Sequence, residues 1–201
     1  MTGFNVVNLL DMLETIGDEK TKSLISDFYC PDNPDVEDFL KTKAIEFAKQ
    51  GIAATHLVFT SYKSNPVLIG YYALANKILV VPEKQVSNSM AKRLRKFALR
   101  NEGFKQYTLS CPLIAQLGKN FSNNHNKLIR GDELLSMACE EIKRMQLAIG
   151  GKFTYVECED TQFLIDFYCS NGFIRINNRY LNKKERREQD PEYLVQLIKH
   201  L

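Results

Sequence analysis

Tryptophan is absent from the 201 residues, proline occurs only 6 times and glycine 10 times. That scarcity excludes collagen-like and low-complexity readings. Long apolar runs are missing too. The most apolar stretch, Pro66 to Asn76, is far shorter than the ~20 residues of a membrane helix, so no membrane partner is expected. The five cysteines, Cys30, Cys111, Cys139, Cys158 and Cys169, are odd in number and show no C-x-x-C spacing. They suit a reducing cytosol, not a disulfide framework or a zinc site, and Cys111, Cys139, Cys158 and Cys169, in apolar runs, read as small buried hydrophobes. His56, His125 and His200 show no ligand spacing, so no metal is expected. Lys+Arg 27 against Asp+Glu 24 leaves only +3, too mild to require a polyanionic partner. The first residues, MTGFNVVNLLDMLE, lack a basic region and meet acid by Asp11, which argues against a signal peptide. The expectation is one soluble cytoplasmic domain over residues 1–201, long enough to bury roughly 70% of its unfolded surface.

Apolar periodicity and breakers place the elements. Phe4 to Val7 reads as a first strand, and Asn8 to Phe28 as helix interrupted at Gly17-Asp18. Asn33-Pro34-Asp35 is a helix start, with a capping side chain, a proline suited to the first turn and an acid at the positive end. Val36, Phe39, Leu40, Ala44, Phe47 and Ala48 then share one face up to Gly51. Ala54–Ser61 and Val67–Ala75 form a hairpin, and Tyr107–Gly118 is a third strand whose Leu109, Cys111, Leu113, Ala115 and Leu117 share a face. A helix from about Gly131 to Gln146 carries the stripe Leu134, Leu135, Ala138, Cys139, Ile142 and Met145. Strand Phe153–Cys158, helix Thr161–Asn171, and strands Phe173–Leu181 and Tyr193–Lys199 complete an α+β order, although the last segment also fits a helical period.

Chemistry concentrates between Leu113 and Leu135. A strand ends near Gly118, a polar loop follows, and a helix begins at Gly131, so free amides and the positive helix end face the loop. Lys127 and Arg130 add charge there, while the absence of G-x-x-x-x-G-K-[ST] excludes a nucleoside-triphosphate P-loop. The plain alternative is a surface loop capped by Asn126.

Two motifs resemble the GNAT acetyltransferase superfamily. Asn126-Lys127-Leu128-Ile129-Arg130-Gly131 lies where that family carries Q/R-x-x-G-x-G/A; Gly131 matches, Asn126 stands for Gln or Arg, and Ile129 for the middle glycine. Phe167-Tyr168, followed after three residues by Gly172-Phe173, matches its F-Y-x-x-x-G-F helix end. The stretch Gly70-Tyr71-Tyr72-Ala73-Leu74-Ala75, a basic insertion, and Pro112 to Gly118 resemble the branch of toxins that acetylate aminoacyl-tRNA.

The resemblance implies a GNAT-like α+β fold, with a mixed, mostly antiparallel sheet, two splayed parallel strands and helices on both faces. It implies acetyl-CoA as cosubstrate, its pantetheine arm along Leu117, Gly118 and Lys119 and its pyrophosphate on Asn126 to Asp132. A side chain at Ile129 would stand where phosphate usually approaches closely, and Asp132 would have to turn its carboxylate away. Tyr168 would protonate the departing thiolate; the plain alternative is a core aromatic. Glu157, Glu159, Asp160 and His125 are candidate bases for the amine, and ordered water is the remaining choice.

Lys84, Lys92, Arg93, Arg95, Lys96 and Arg100 form an acid-free run, with Ala91, Leu94, Phe97 and Ala98 as the inward side of one helix. Lys92, Arg93, Arg95 and Lys96 are the candidate contacts to charged tRNA; a solvated helix face is the alternative. The toxin likeness further implies a neutralising antitoxin, and a homodimer is an additional expectation. Acetylation of a protein or small-molecule amine, and a non-catalytic binding module, stay open beside tRNA acetylation. The mixed run Lys183 to Glu188 reads as an exposed loop.

Overall fold

Asn8 ends the first strand and starts the first helix at once: its side-chain oxygen accepts from the Leu10 amide at 2.8 Å. This computed structural model describes residues 3–182 and 192–201, so the run Lys183 to Glu188 lies outside the described residues. The chain divides into two units, Met1–Ala75 with Ile114–Glu140, and Asn76–Leu113 with Glu141–Leu201.

In the first unit, β1 (Phe4–Asn8), β2 (Ala54–Tyr62), β3 (Asn65–Pro82, up to Ala75) and β5 (Gln106–Lys119, from Ile114) lie side by side in the order β1-β2-β3-β5. β1 and β3 run antiparallel to β2. Four short helices belong to this unit, α1 (Leu9–Ile16), α2 (Asp18–Ser26), α3 (Pro34–Asp38) and α4 (Ala44–Lys49), along with the start of α6 (Gly131–Ile149). Gly17 separates α1 from α2 at φ 81°, a left-handed conformation that costs glycine little. Asn33 caps α3 and Pro34 opens it, as the sequence predicts. The expected continuous helix to Lys49 contains one π turn over Phe39–Lys43. Leu9, Ile25, Phe28, Val36, Leu40, Ala44, Leu57 and Tyr71 are its core.

In the second unit the order is β3-β5-β6-β8-β7, with β4 (Leu99–Asn101) paired to β5. Its other elements are α5 (Asn88–Leu94), the end of α6, β6 (Phe153–Cys158), α7 (Gln162–Ser170), β7 (Ile174–Tyr180) and β8 (Tyr193–His200). β8 runs antiparallel to both β6 and β7. Ser110 donates to Asn76 at 3.1 Å here, and Gly118 lies against Gly70 in the first unit, so β3 and β5 are antiparallel. Among the described residues, β5 and β6, joined through the α6 crossover, are the one parallel pair of a mixed sheet. Leu79, Val81, Leu94, Tyr107, Leu109, Cys111, Ile142, Val156, Leu197 and Ile198 are buried in this unit.

Three sequence expectations change. β3 continues to Pro82 instead of ending at Ala75, because Leu79 and Val81 alternate inward while Ile78 and Val80 remain exposed. The basic helix stops at Leu94, so Phe97 leaves its expected inward face and is 44% exposed. Cys169 is exposed rather than core, at the outer side of a short helix.

Candidate active site

Asn120 organises the end of β5 within the first unit. It is buried, with its amide donating to the Ile69 carbonyl at 2.8 Å and its Nδ2 to the Leu68 carbonyl at 2.9 Å. Its Oδ1 accepts from the amides of Tyr29 and Ser122, and the Phe121 amide donates to the Tyr29 carbonyl at 2.7 Å. One neutral side chain thus fixes the strand end, the turn before α3 and the following loop. Sequence reasoning missed it, since a buried asparagine has the same sequence signature as a loop one.

Gly118 allows the close packing of this corner. A β-carbon there would overlap Val36 Cγ1 and lie 3.4 Å from Phe28, and one at Gly70 would lie 2.9 Å from the Gly118 carbonyl. Tyr71 holds the same segment from below, its hydroxyl donating to the Val36 carbonyl at 2.6 Å and its ring packed edge-on to Phe28. Burial pushes the Tyr71 phenol well up. Ala115, Gln116 and Leu117 are half-buried, and Gln116 donates to Asp35 at 3.1 Å.

The polar loop turns through Asn123 and Asn124, both at positive φ, where asparagine is tolerated. Lys119 reaches across it, donating to the Asn126 carbonyl at 3.3 Å. Lys127 and Arg130 are exposed. Ile129 is only 2% exposed, so its side chain turns into the interior and does not stand over the loop. Arg130 forms a fork-to-fork pair with Asp132, both contacts at 3.0 Å, which holds the Asp132 carboxyl below its usual range. Glu133 accepts from the Arg130 amide at 2.8 Å, half of a capping box. The Leu128 amide donates to the His125 carbonyl at 2.9 Å. The amides of Leu128 and Arg130 are thus engaged, and the exposed cations Lys127 and Arg130 stand beside the start of α6.

The second unit holds Tyr168 in the last turn of α7, which Thr161 caps. Its ring lies 5.1 Å from Phe167 and 5.6 Å from Phe173, and it is 8% exposed. Burial first, and then Cys158, raise its phenol above the ordinary value, so it is protonated at every working pH. Phe173 donates to the Tyr168 carbonyl and Gly172 to that of Cys169, both at 3.0 Å. Those two bonds are a Schellman stop, with Gly172 at φ 82° supplying the left-handed residue. The x-x-x-G-F part of the motif is therefore a helix terminus.

The candidate bases are mostly committed elsewhere. Glu157 accepts from Arg179 and from Gln196, each at 2.8 Å. Asp160 is bound by the Arg175 guanidinium and the Tyr193 hydroxyl, which hold its carboxyl below the usual range. His125 lies edge-on to Tyr62, with Nδ1 buried and unpartnered. Cys158 and Cys111 are pushed up to about 12, the inert thiols their burial implies. Among the described residues no group of His, Cys, Asp or Glu could hold a metal ion, and no helix is long and apolar enough to cross a membrane.

Of the basic run, Lys92 and Arg93 occupy the last turn of α5, where cations suit the negative helix end. Arg95 donates to the Tyr107 hydroxyl at 3.1 Å, and Arg100 pairs with Glu83. Lys92, Arg93 and Lys96 are exposed.

No protein-family model and no curated protein sequence matches the chain. Solved structures do. AtaT complexed with acetyl-methionyl-tRNAfMet superposes with a TM-score of 0.65 at 15% identity, over 98% of this chain and 95% of the other. A tyrosine-to-phenylalanine mutant of KacT gives 0.62 at 14% identity, over 98% and 95%. AtaTR bound with AcCoA gives 0.55 at 17% identity, over 96% and 91%. Over nearly its whole length, the chain has the GNAT-like α+β fold of these structures.

Proposed function

We propose that the protein is an acetyl-CoA-dependent N-acetyltransferase that modifies the α-amine of an aminoacyl-tRNA. The observation that carries this reading is the near-full-length likeness to structures holding acetyl-methionyl-tRNA and AcCoA. Leu117, Gly118 and Lys119 would pair with the pantetheine arm. The loop from Asn126 through Lys127, Leu128, Ile129, Arg130, Gly131 and Asp132 would receive the pyrophosphate. Attack of the neutral amine on the thioester carbonyl forms the C–N bond and breaks the C–S bond, and the proton the nitrogen sheds passes to water, from which the Tyr168 phenol is restored after turnover. Tyr168, held protonated, would give its proton to the leaving thiolate. A backbone donor at the oxyanion contributes about 3 kcal/mol in such reactions.

Residues 1–201 would act as one catalytic domain in the cytoplasm, with tRNA phosphates on Lys92, Arg93, Arg95 and Lys96. A neutralising antitoxin and a homodimer complete the proposal; one neighbour is an AtaT mutant bound to the C-terminus of AtaR.

Incubation with labelled acetyl-CoA and a panel of amines tests the reading. Label on the amino group of charged tRNA supports it. Label confined to protein or small-molecule amines assigns a different acceptor. No label on any amine, with no rise in melting temperature at millimolar acetyl-CoA, assigns a non-catalytic binding module. Induced expression that leaves growth untouched contradicts the toxin role.

A further inference from the structure

Beside the basic segment, entirely within the second unit, lies a cavity of about 210 Å³. Asn76, Phe97, Ser110, Gly151, Lys152 and Phe153 line it. Its walls are fixed by bonds that no catalytic step uses. Gln146, buried in α6, donates to the Phe153 carbonyl at 2.9 Å, and Gly150 donates to the Gln146 carbonyl. Gly150 and Gly151 turn at φ 81° and 101°. The Leu201 amide donates to the Lys152 carbonyl at 2.8 Å, tying the chain end to the same turn.

Three rings meet here. Phe97 lies edge-on to Phe153 at 5.8 Å and to His200 at 6.5 Å, and Phe153 lies 5.1 Å from His200. Phe97, left outside α5, keeps 44% of its surface in solvent. The two charges that act on His200 are of one sign. Arg93 and Lys152 both act electrostatically on His200, which places the three groups together. Among the described residues, no carboxylate is ion-paired with Lys92, Arg93, Lys96 or Lys152.

The volume is below the 300–1,000 Å³ of pockets that enclose a drug-sized ligand, so it admits one ring system with the remainder of the molecule outside. A half-exposed aromatic ring beside unpaired cations suits a base with its flanking phosphates. We propose that this cavity and its rim bind a single-stranded RNA segment, one base entering against Phe97 and the adjacent phosphates lying against Arg93 and Lys152. The proposal deepens the RNA part of the function proposed above and rests on it.

Fluorescence anisotropy with a labelled single-stranded RNA hexamer tests this. Phe97→Leu should weaken binding about 5- to 100-fold, the range of a lost base–aromatic stack. Phe97→Tyr, which keeps the ring, should bind like the parent. Arg93→Gln and Lys152→Gln should each lower the slope of log affinity against log salt by about 0.7, the value of one single-strand phosphate contact. Unchanged affinity in a folded Phe97→Leu variant, unchanged salt slopes, or equal competition by duplex RNA or an acidic peptide would overturn it. Label transfer from acetyl-CoA to a small amine should persist in both Phe97 variants and in Lys152→Gln. If hexamer binding follows this pattern in a protein that transfers no acetyl group, the acetyltransferase reading falls while the RNA pocket stands.

Discussion

At the scale of single residues, two tyrosines set a hydroxyl that holds structure against one proposed to donate a proton. Tyr71 is wholly buried and donates to a carbonyl in α3, so its hydroxyl holds structure. Tyr71→Phe should destabilise the fold by about 0.5–1.5 kcal/mol, the net contribution of one hydrogen bond, since the Val36 carbonyl keeps the Phe39 amide as a second donor; chemical denaturation reads this directly. Tyr168 has an equally plain structural role for its ring and its carbonyl, and its hydroxyl is the group proposed above as the proton donor. Tyr168→Phe should slow acetyl transfer by about 10²–10⁴ while the rise in melting temperature with acetyl-CoA persists. An unchanged rate removes Tyr168 from the reaction. His200 gives the pH dependence. Burial against its aromatic neighbours, then Arg93 and Lys152, lowers its pKa from 6.5 in the folded chain. The unfolded chain therefore binds this proton more readily, and stability declines as pH falls through about 6.5. His200→Gln should flatten that decline in denaturation midpoints measured between pH 7.5 and 5.5, above the range where carboxylates titrate.

At the scale of elements, the packing of α3 on β5 makes a sharp prediction. Gly118→Ala would force a methyl group into Val36, and overpacking of this kind costs about 1–3 kcal/mol. A melting temperature equal to the parent's would contradict the packing described. The start of α3 was legible in Asn33-Pro34-Asp35, because caps and first-turn prolines act locally. β6 and α7 were legible for the same reason: alternation, a threonine cap and a glycine stop. The extension of β3 and the short β4 were not, since a strand with Ile78, Val80 and Leu99 in solvent lacks the one-sided pattern that marks a half-buried sheet. The occupied amide at Arg130 had a readable signal in Glu133, three residues on, as the far half of a capping box.

For the whole molecule, the arrangement of elements was legible because each strand and helix carries its own period, whereas the network around Asn120 was not. Its partners come from Tyr29, Leu68, Ile69 and Ser122, positions that only the folded chain brings together. The same holds for the aromatic cavity, whose walls come from segments as distant as Asn76 and Lys152. Charge behaves differently. A net +3 conceals an acid-free basic run, and the fold keeps several of its side chains exposed and unpaired on the second unit. Every acetyl-transfer reading requires the thioester to bind, before any acceptor is known. The direct measurement is the melting temperature across an acetyl-CoA titration. Saturation to about 100 times the dissociation constant should add about 2.7 kcal/mol of stability, and the shift should shrink when Lys127 and Arg130 are replaced by glutamine. A melting temperature indifferent to millimolar acetyl-CoA would contradict the account.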